Sequence, residues 1–321
     1  MRYSRLRFPI ILAGCAVIVG GLASAQTTQP ASQPQLPASL PADQVEARAA
    51  IPYAQAGGET LLLDMARPKV GSGPWPAVVC IHGGGWVAGN RASMQPFIRY
   101  LAAYGFVAVS PSYRLAPKHP FPAAVADVRQ CVRWLRLHAA EYGIDPARIG
   151  AVGLSAGGHL VCMLGVTADD DRFGPDDEPL GGQSCRVQAV VNYFGPGDLA
   201  ASDWSAKAVR QYLIPFLGGT SAERPDEYRK ASPITYVSRD DAPVLTFHGD
   251  QDVLVPPTQA RTLHARLDAA GVKNRLVMLG GQGHGWGEPH ATQTMRQMVA
   301  FFREQLRPAA TTQPATTRTT E

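Results

Sequence analysis

Short unbroken apolar runs alternate along this chain with longer stretches whose apolar residues recur every three or four positions. Runs such as Ala77-Val78-Val79-Cys80-Ile81 and Phe106-Val107-Ala108-Val109 have no polar face. A strand of that kind must be buried on both sides, as in a parallel sheet covered by helices. Residues 60–65, 149–152, 187–193, 244–247 and 276–279 are predicted as further strands. The 3.6-residue period predicts helices over 94–104, 121–142, 156–166, 258–270 and 291–306. In the longest, Val125, Val128, Val132, Leu135 and Ala139 form one stripe, with Pro122 at its start and Gly143 at its end. Strand and helix in alternation predict an α/β fold: a mostly parallel sheet with helices on both faces. Ligands of such sheets bind beyond the carboxyl ends of the strands.

The two ends of the chain have a different texture. Arg2, Arg5 and Arg7 precede an apolar stretch over 8–23, and Ala23-Ser24-Ala25 supplies small residues beyond it. This predicts a signal peptide over 1–25 and a secreted or periplasmic protein. The apolar stretch falls short of the about 20 residues a spanning helix needs, so no stable membrane span is expected after cleavage. Leu12-Ala13-Gly14-Cys15 resembles a lipobox, which makes a lipoprotein anchored at Cys15 the alternative; the apolar run continues past Cys15, which argues against it. Residues 26–44 are rich in Pro, Gln, Ala, Ser and Thr and predict a flexible linker; 308–321 predict a disordered tail of the same character. One folded domain over 45–307 remains.

The hydrophobic content of 45% suffices for a large core. The net charge of +4 comes from scattered basic residues, with no basic stripe interleaved with aromatics, so nucleic acid is not an expected partner. Cys80, Cys131, Cys162 and Cys185 have no metal-ligand spacing and read as buried thiols. Asp169, Asp170, Asp171, Asp176 and Asp177 form an acidic run that reads as a solvated loop rather than a calcium site. No metal and no cofactor are expected, and nothing in the sequence sets an oligomeric state.

Gly153-Leu154-Ser155-Ala156-Gly157 sits between a buried strand and a helix. In that setting G-x-S-x-G is a nucleophile elbow, a sharp turn that lifts the serine above the sheet. His82-Gly83-Gly84-Gly85-Trp86 follows another strand directly. Glycines there let backbone N–H groups turn toward a developing oxyanion, so Gly84 and Gly85, with Ala156 after the nucleophile, are the expected donors. His82 is expected to orient that loop. A phosphate-binding loop would want a following Gly-Lys-Ser or Gly-Lys-Thr, which is absent. The base must come late in the chain, after the acid. His284 lies in a glycine-rich loop after the last strand and is preferred over His264, on a helix, and His290. Asp250 and Asp252 both follow strand 244–247; Asp252 is the expected acid, with Asp250 holding the turn. Trp86 and Trp286 flank these motifs as candidate substrate-binding residues, with core packing as the alternative for each. His159 and Arg114 are expected to be structural. Residues 195–241 exceed an ordinary connection and carry Trp204, Tyr212, Phe216 and Tyr228. They read as a lid or pocket wall, or else as a packed helical insertion without substrate contact.

Taken together, His82–Trp86, Tyr113-Arg114-Leu115-Ala116-Pro117, Gly153 to His159, His248 to Asp252 and His284-Gly285-Trp286 resemble the α/β-hydrolase esterases that carry an HGGGW oxyanion loop. The chain is similar to the hormone-sensitive-lipase-like and feruloyl/acetyl-xylan-esterase-like (carbohydrate esterase) groups from about residue 50 to residue 305. The resemblance implies a carboxylesterase in which Ser155, Asp252 and His284 form the triad. The implied substrate is a small-molecule or oligosaccharide ester with a short-chain acyl or feruloyl group. The large cap that precedes the core in many lipase-like relatives has little room here. An amide-type hydrolase, arylformamidase or peptidase, on the same triad is the alternative, and a binding protein that had lost its chemistry would not keep every catalytic part.

Overall fold

The computed structural model describes residues 36–168, 173 and 182–308. The predicted signal peptide, Cys15, the start of the linker, nearly all of the tail and the acidic run lie outside the described residues. Eight strands form one sheet: β1 (Val45–Ala56), β2 (Glu59–Pro68), β3 (Trp75–Ile81), β4 (Val107–Pro111), β5 (Ile144–Leu154), β6 (Ala189–Tyr193), β7 (Val244–Gly249) and β8 (Asn274–Leu279). Their order is β1-β2-β4-β3-β5-β6-β7-β8. β1, β2 and β4 pair antiparallel, and every pairing from β4 onward is parallel. This is the α/β-hydrolase sheet.

Strand periodicity divides the core. In β3, Ala77, Val79 and Ile81 face one apolar cluster while Val78 and Cys80 face the other. The first cluster packs α2 (Ala123–Leu137), the short α3 (Ala139–Tyr142), α4 (Ala156–Val166) and α8 (Pro257–Ala270) on one face; α1 (Gln95–Ala103) and α9 (His290–Gln305) cover the other. Each fully buried aliphatic side chain contributes about 1.5–3 kcal/mol, which is why 77–81 is apolar at every position. The four cysteines within the described residues are buried and free.

Three expectations need correction. The helix predicted over 121–142 is two helices, interrupted at His138, whose ring stacks on Trp134 at 4.4 Å while its Nδ1 meets the Trp134 carbonyl at 3.0 Å. β1 was not predicted at all. It is an edge strand with half of its residues exposed, and Pro52 interrupts its apolar stretch, which masks it as a strand. The described part of the predicted linker is held against the domain: Leu36 packs on the second core cluster and the Leu40 N–H donates to the Ala103 carbonyl at 2.8 Å. Composition averages over a segment and misses two anchoring leucines.

Residues 195–241 fold as a chain of short helices: α5 (Ala206–Ala208), a π-helical turn (Val209–Leu213), α6 (Ile214–Leu217) and α7 (Pro225–Lys230). Among the described residues, no helix is long and apolar enough to cross a membrane.

Candidate active site

The carboxyl ends of β3, β5, β6, β7 and β8 lead into His82, Ser155, Phe194, Asp250 and the 280–286 loop. Parallel pairing therefore gathers on one edge of the sheet what the sequence spreads over two hundred positions.

Ser155 has φ 55° and ψ −119°, a conformation a side-chain-bearing residue adopts only under constraint. The constraint is visible at Gly157, where a Cβ would collide with the carbonyl oxygens of Ile81 and His82. Helix α4 starts at Ala156, so the Ala156 N–H is an unpaired helix-terminal donor on the positive end of the dipole.

Ser155 Oγ lies 2.8 Å from His284 Nε2, and His284 Nδ1 lies 2.7 Å from Asp252 Oδ2. The two outer loops are stitched together: Asp250 Oδ1 accepts from the Gly281 N–H at 2.7 Å and Gln251 N–H donates to the Gln282 carbonyl at 2.9 Å. Asp250 thus serves as a brace, across to the histidine loop rather than within its own turn. Asp252 Oδ1 accepts from Leu254 and Val255 N–H groups, each at 2.9 Å. Burial acts to raise the Asp252 carboxyl, but the bonds from His248, His284 and the backbone outweigh it and hold it well below the usual carboxylate range. The side chain of His284 is 20% exposed and that of Asp252 is fully buried, so only the imidazole is open to the cavity. His264 and His290 are elsewhere: His264 sits on α8 against Asn274, and His290 opens α9.

The His82–Ala88 loop is fixed from beneath. His82 stacks on Tyr113 at 4.3 Å, and the Tyr113 hydroxyl donates to the His82 carbonyl at 3.1 Å. Arg114 pairs with buried Asp127 at 2.7 Å, anchoring the segment after Tyr113. Gly85 takes φ +61°, and a Cβ there would run into the ring of Tyr212. The N–H groups of Gly84, Gly85 and Ala156 have no hydrogen-bond partner among the described residues, and all three line the cavity above Ser155.

That cavity measures about 430 Å³. Its walls include Phe194, Leu254 and Val255 beside His284, and Pro196, Trp204, Ala208, Tyr212 and Leu213 from the 195–241 segment. The insertion is therefore both a packed helical unit and a pocket wall. Trp86 touches the cavity but is 3% exposed; its ring stacks on Phe216 at 4.4 Å and its indole N–H donates to His159 Nδ1. His159 Nε2 in turn meets the Ala231 carbonyl at 2.6 Å, and burial pushes this imidazole down to about 4. It is a neutral link between the 82–88 loop and the insertion.

Trp286 is not in the cavity wall. Its ring packs on Tyr193 and Phe194, and its N–H donates to Thr294 Oγ1 at 3.2 Å. Gly285, at φ +107°, lets the chain turn so that the side chains on either side of it diverge, His284 to the cavity and Trp286 onto Tyr193 and Phe194. Phe194, Leu254 and Val255 went unnamed in the sequence reading. The position of Phe194 just past a buried strand was the available signal; Leu254 and Val255 carried none beyond following Asp252.

Known proteins resemble this chain over most of the described domain. The BD-FAE family model matches residues 63–267. Esterase LipC of Mycobacterium tuberculosis is 35% identical over 235 residues, 70% of this chain and 57% of that protein. The probable carboxylic ester hydrolase LipM of the same organism is 34% identical, over 66% of this chain and 49% of its own length. The chain thus spans about half the length of the curated relatives it matches. Among solved structures, a truncated carbohydrate esterase from gut microbiota superposes with a TM-score of 0.70 and 30% identity, covering 83% of this chain and 99% of the other. The propionate-bound esterase Est2 of Thermogutta terrifontis gives a TM-score of 0.68 and 27% identity, covering 84% and 97%.

Proposed function

The chain belongs to the BD-FAE family of α/β-hydrolase esterases, and from that premise we propose that it is a serine carboxylic-ester hydrolase working through an acyl-enzyme. The observation that carries this reading is the unbroken path Ser155 Oγ to His284 Nε2 at 2.8 Å and His284 Nδ1 to Asp252 Oδ2 at 2.7 Å, at the base of an apolar cavity. In this mechanism His284 takes the Ser155 proton as Oγ attacks the ester carbonyl. The N–H groups of Gly84, Gly85 and Ala156 receive the oxyanion, each donor worth about 3–4 kcal/mol of barrier. Asp252 stabilises the imidazolium and fixes its tautomer. His284 then protonates the leaving alcohol, and water repeats the sequence on the acyl-enzyme. No metal or organic cofactor enters any of these steps.

We propose a short-chain acyl or feruloyl ester of a carbohydrate or another small alcohol as the substrate. The apolar walls favour the acyl group inside the cavity, because sugar hydroxyls buried there would lack partners. A carbohydrate alcohol would remain at the mouth. The relatives named above are esterases, so the amide-cleaving alternative has no support beyond the shared triad. The N-terminal 25 residues read as an export signal, which supports a secreted or periplasmic enzyme acting on external esters.

The test is hydrolysis of 4-nitrophenyl acetate, a long-chain 4-nitrophenyl ester, methyl ferulate and acetylated xylan by the mature protein and by Ser155→Ala. Acetate or ferulate release that disappears in the variant is the expected result. Activity that survives Ser155→Ala, or no turnover of any ester, defeats the proposal.

A further inference from the structure

His248 is the penultimate residue of β7, four residues before the acid, and the mechanism above does not use it. Its side chain is fully buried. Nε2 lies 2.9 Å from the Val255 carbonyl and 3.3 Å from Asp252 Oδ2, the same oxygen that meets His284. A carbonyl oxygen only accepts, so Nε2 must carry the proton. Nδ1 is then a bare acceptor, and it has no partner among the described residues. An unpaired buried nitrogen costs stability, and an apolar side chain of similar volume would avoid that cost. Packing therefore does not explain a histidine here. The single N–H it offers goes to the turn that holds the acid: Asp252 Oδ1 accepts from Val255 N–H, and the Val255 carbonyl accepts from His248.

We infer that His248 is a positioning residue, whose Nε2–H clamps the Asp252–Val255 turn and aims Asp252 Oδ2 at His284. The inference rests on the serine-hydrolase reading of the site. With the clamp gone, Asp252 keeps its two backbone donors but loses the group that fixes the rotation of its second oxygen. The His284 tautomer and orientation then loosen, while the Asp252 Oδ1 bonds from the Leu254 and Val255 N–H groups keep that part of the cavity wall in place. The loss falls on kcat and not on KM.

The experiment compares His248→Phe, which keeps most of the ring volume without the N–H, with His248→Gln, whose amide restores a donor at the position of Nε2. For 4-nitrophenyl acetate, His248→Phe should lower kcat about 10-fold with KM changed by less than about twofold, far short of the about 10⁴-fold loss that follows removal of the acid itself. His248→Gln should recover most of that loss, and the thermal midpoint of His248→Phe should equal or exceed that of the wild type. Wild-type kcat in folded His248→Phe, or a Gln variant no better than Phe, overturns the inference. If His248→Phe does not fold, His248→Asn, too short to reach the turn, replaces it in the comparison. The wild-type protein supplies an independent readout: ¹⁵N NMR of the His248 ring should show the neutral Nε2–H tautomer, and an Nδ1–H or doubly protonated ring also overturns it. Ser155→Ala run in parallel separates the two ideas. If it remains active, the serine-hydrolase reading falls and takes this inference with it; if it is dead while His248→Phe is fully active, only the role of His248 falls.

Discussion

The two sides of the cavity are built on different physics. On the oxyanion side, packing dominates the 82–88 loop, with Gly85 under Tyr212, Trp86 against Phe216 and His82 against Tyr113, and two hydrogen bonds, Tyr113 to His82 and Trp86 to His159, supplement it. On the acid–base side, the 250–255 and 280–284 loops are held by directional bonds from Asp250, Asp252 and His248. A wall made by close packing fails when volume is added. A wall made by hydrogen bonds fails when a donor or acceptor is removed at constant volume. The same cavity should therefore answer opposite kinds of substitution on its two sides.

The strongest attack on this contrast is Asp252→Asn, which preserves shape and removes charge. We expect kcat to fall by about 10⁴-fold with the fold intact, read by ester kinetics and circular dichroism; a loss under tenfold would show that the acid–base side does not depend on its bonds. Next is Gly85→Ala, which adds one methyl group and no charge. Because the added Cβ meets the Tyr212 ring, kcat should drop by about 10²- to 10³-fold, as for loss of an oxyanion donor. Pairing it with Tyr212→Ala should return part of the activity, and no return in the double variant would put the damage in the backbone φ alone.

A third test addresses the link between the 82–88 loop and the insertion. His159 is buried with its folded pKa at about 4, below the ordinary histidine value near 6.5. The unfolded chain therefore binds the extra proton first as pH falls. The stability is fully present above about 6.5 and declines through the window down to about 4, by about 1.4 kcal/mol per pH unit. Urea unfolding at pH 7, 6 and 5 should show this slope in the wild type and a shallower one in His159→Gln. Burial lowers His82 and His264 in the same direction, so the difference between the two proteins is the quantity to read. Equal slopes would remove His159 as the titrating link. The smallest effect is expected at Trp286→Phe. It loses one N–H bond to Thr294, about 1 kcal/mol of stability, and leaves KM for every ester in the panel unchanged because the ring is outside the cavity. A KM change above about threefold, near 0.7 kcal/mol, would return Trp286 to the substrate site.

Most of the sheet was legible, because strands buried on two faces are largely apolar; 77–81 is the clearest case. β1 was not, because an edge strand open to water carries no such signature. The Ser155 elbow and both glycine loops were legible because unusual backbone geometry demands particular residues. The two tryptophans were not separable by sequence. Both follow a glycine in the same motif style, yet Trp86 borders the cavity and Trp286 sits beneath Phe194. Nor did any pattern mark Leu254 and Val255 as pocket walls, since two aliphatic residues in a loop look alike whether they face a ligand or a neighbour.

By itself, then, the order of residues determined whatever depends on a few neighbours along the chain: which segments are strands, where the backbone must take glycine, and which loop ends each strand. Tertiary structure alone decided what depends on direction across long separations. It sent Asp250 across to the Gly281 N–H instead of into its own turn, put Trp86 at the cavity and Trp286 outside it, and set Tyr212 against Gly85. Backbone preferences act locally, whereas the aim of a side chain is set by whichever distant atoms pack and bond around it.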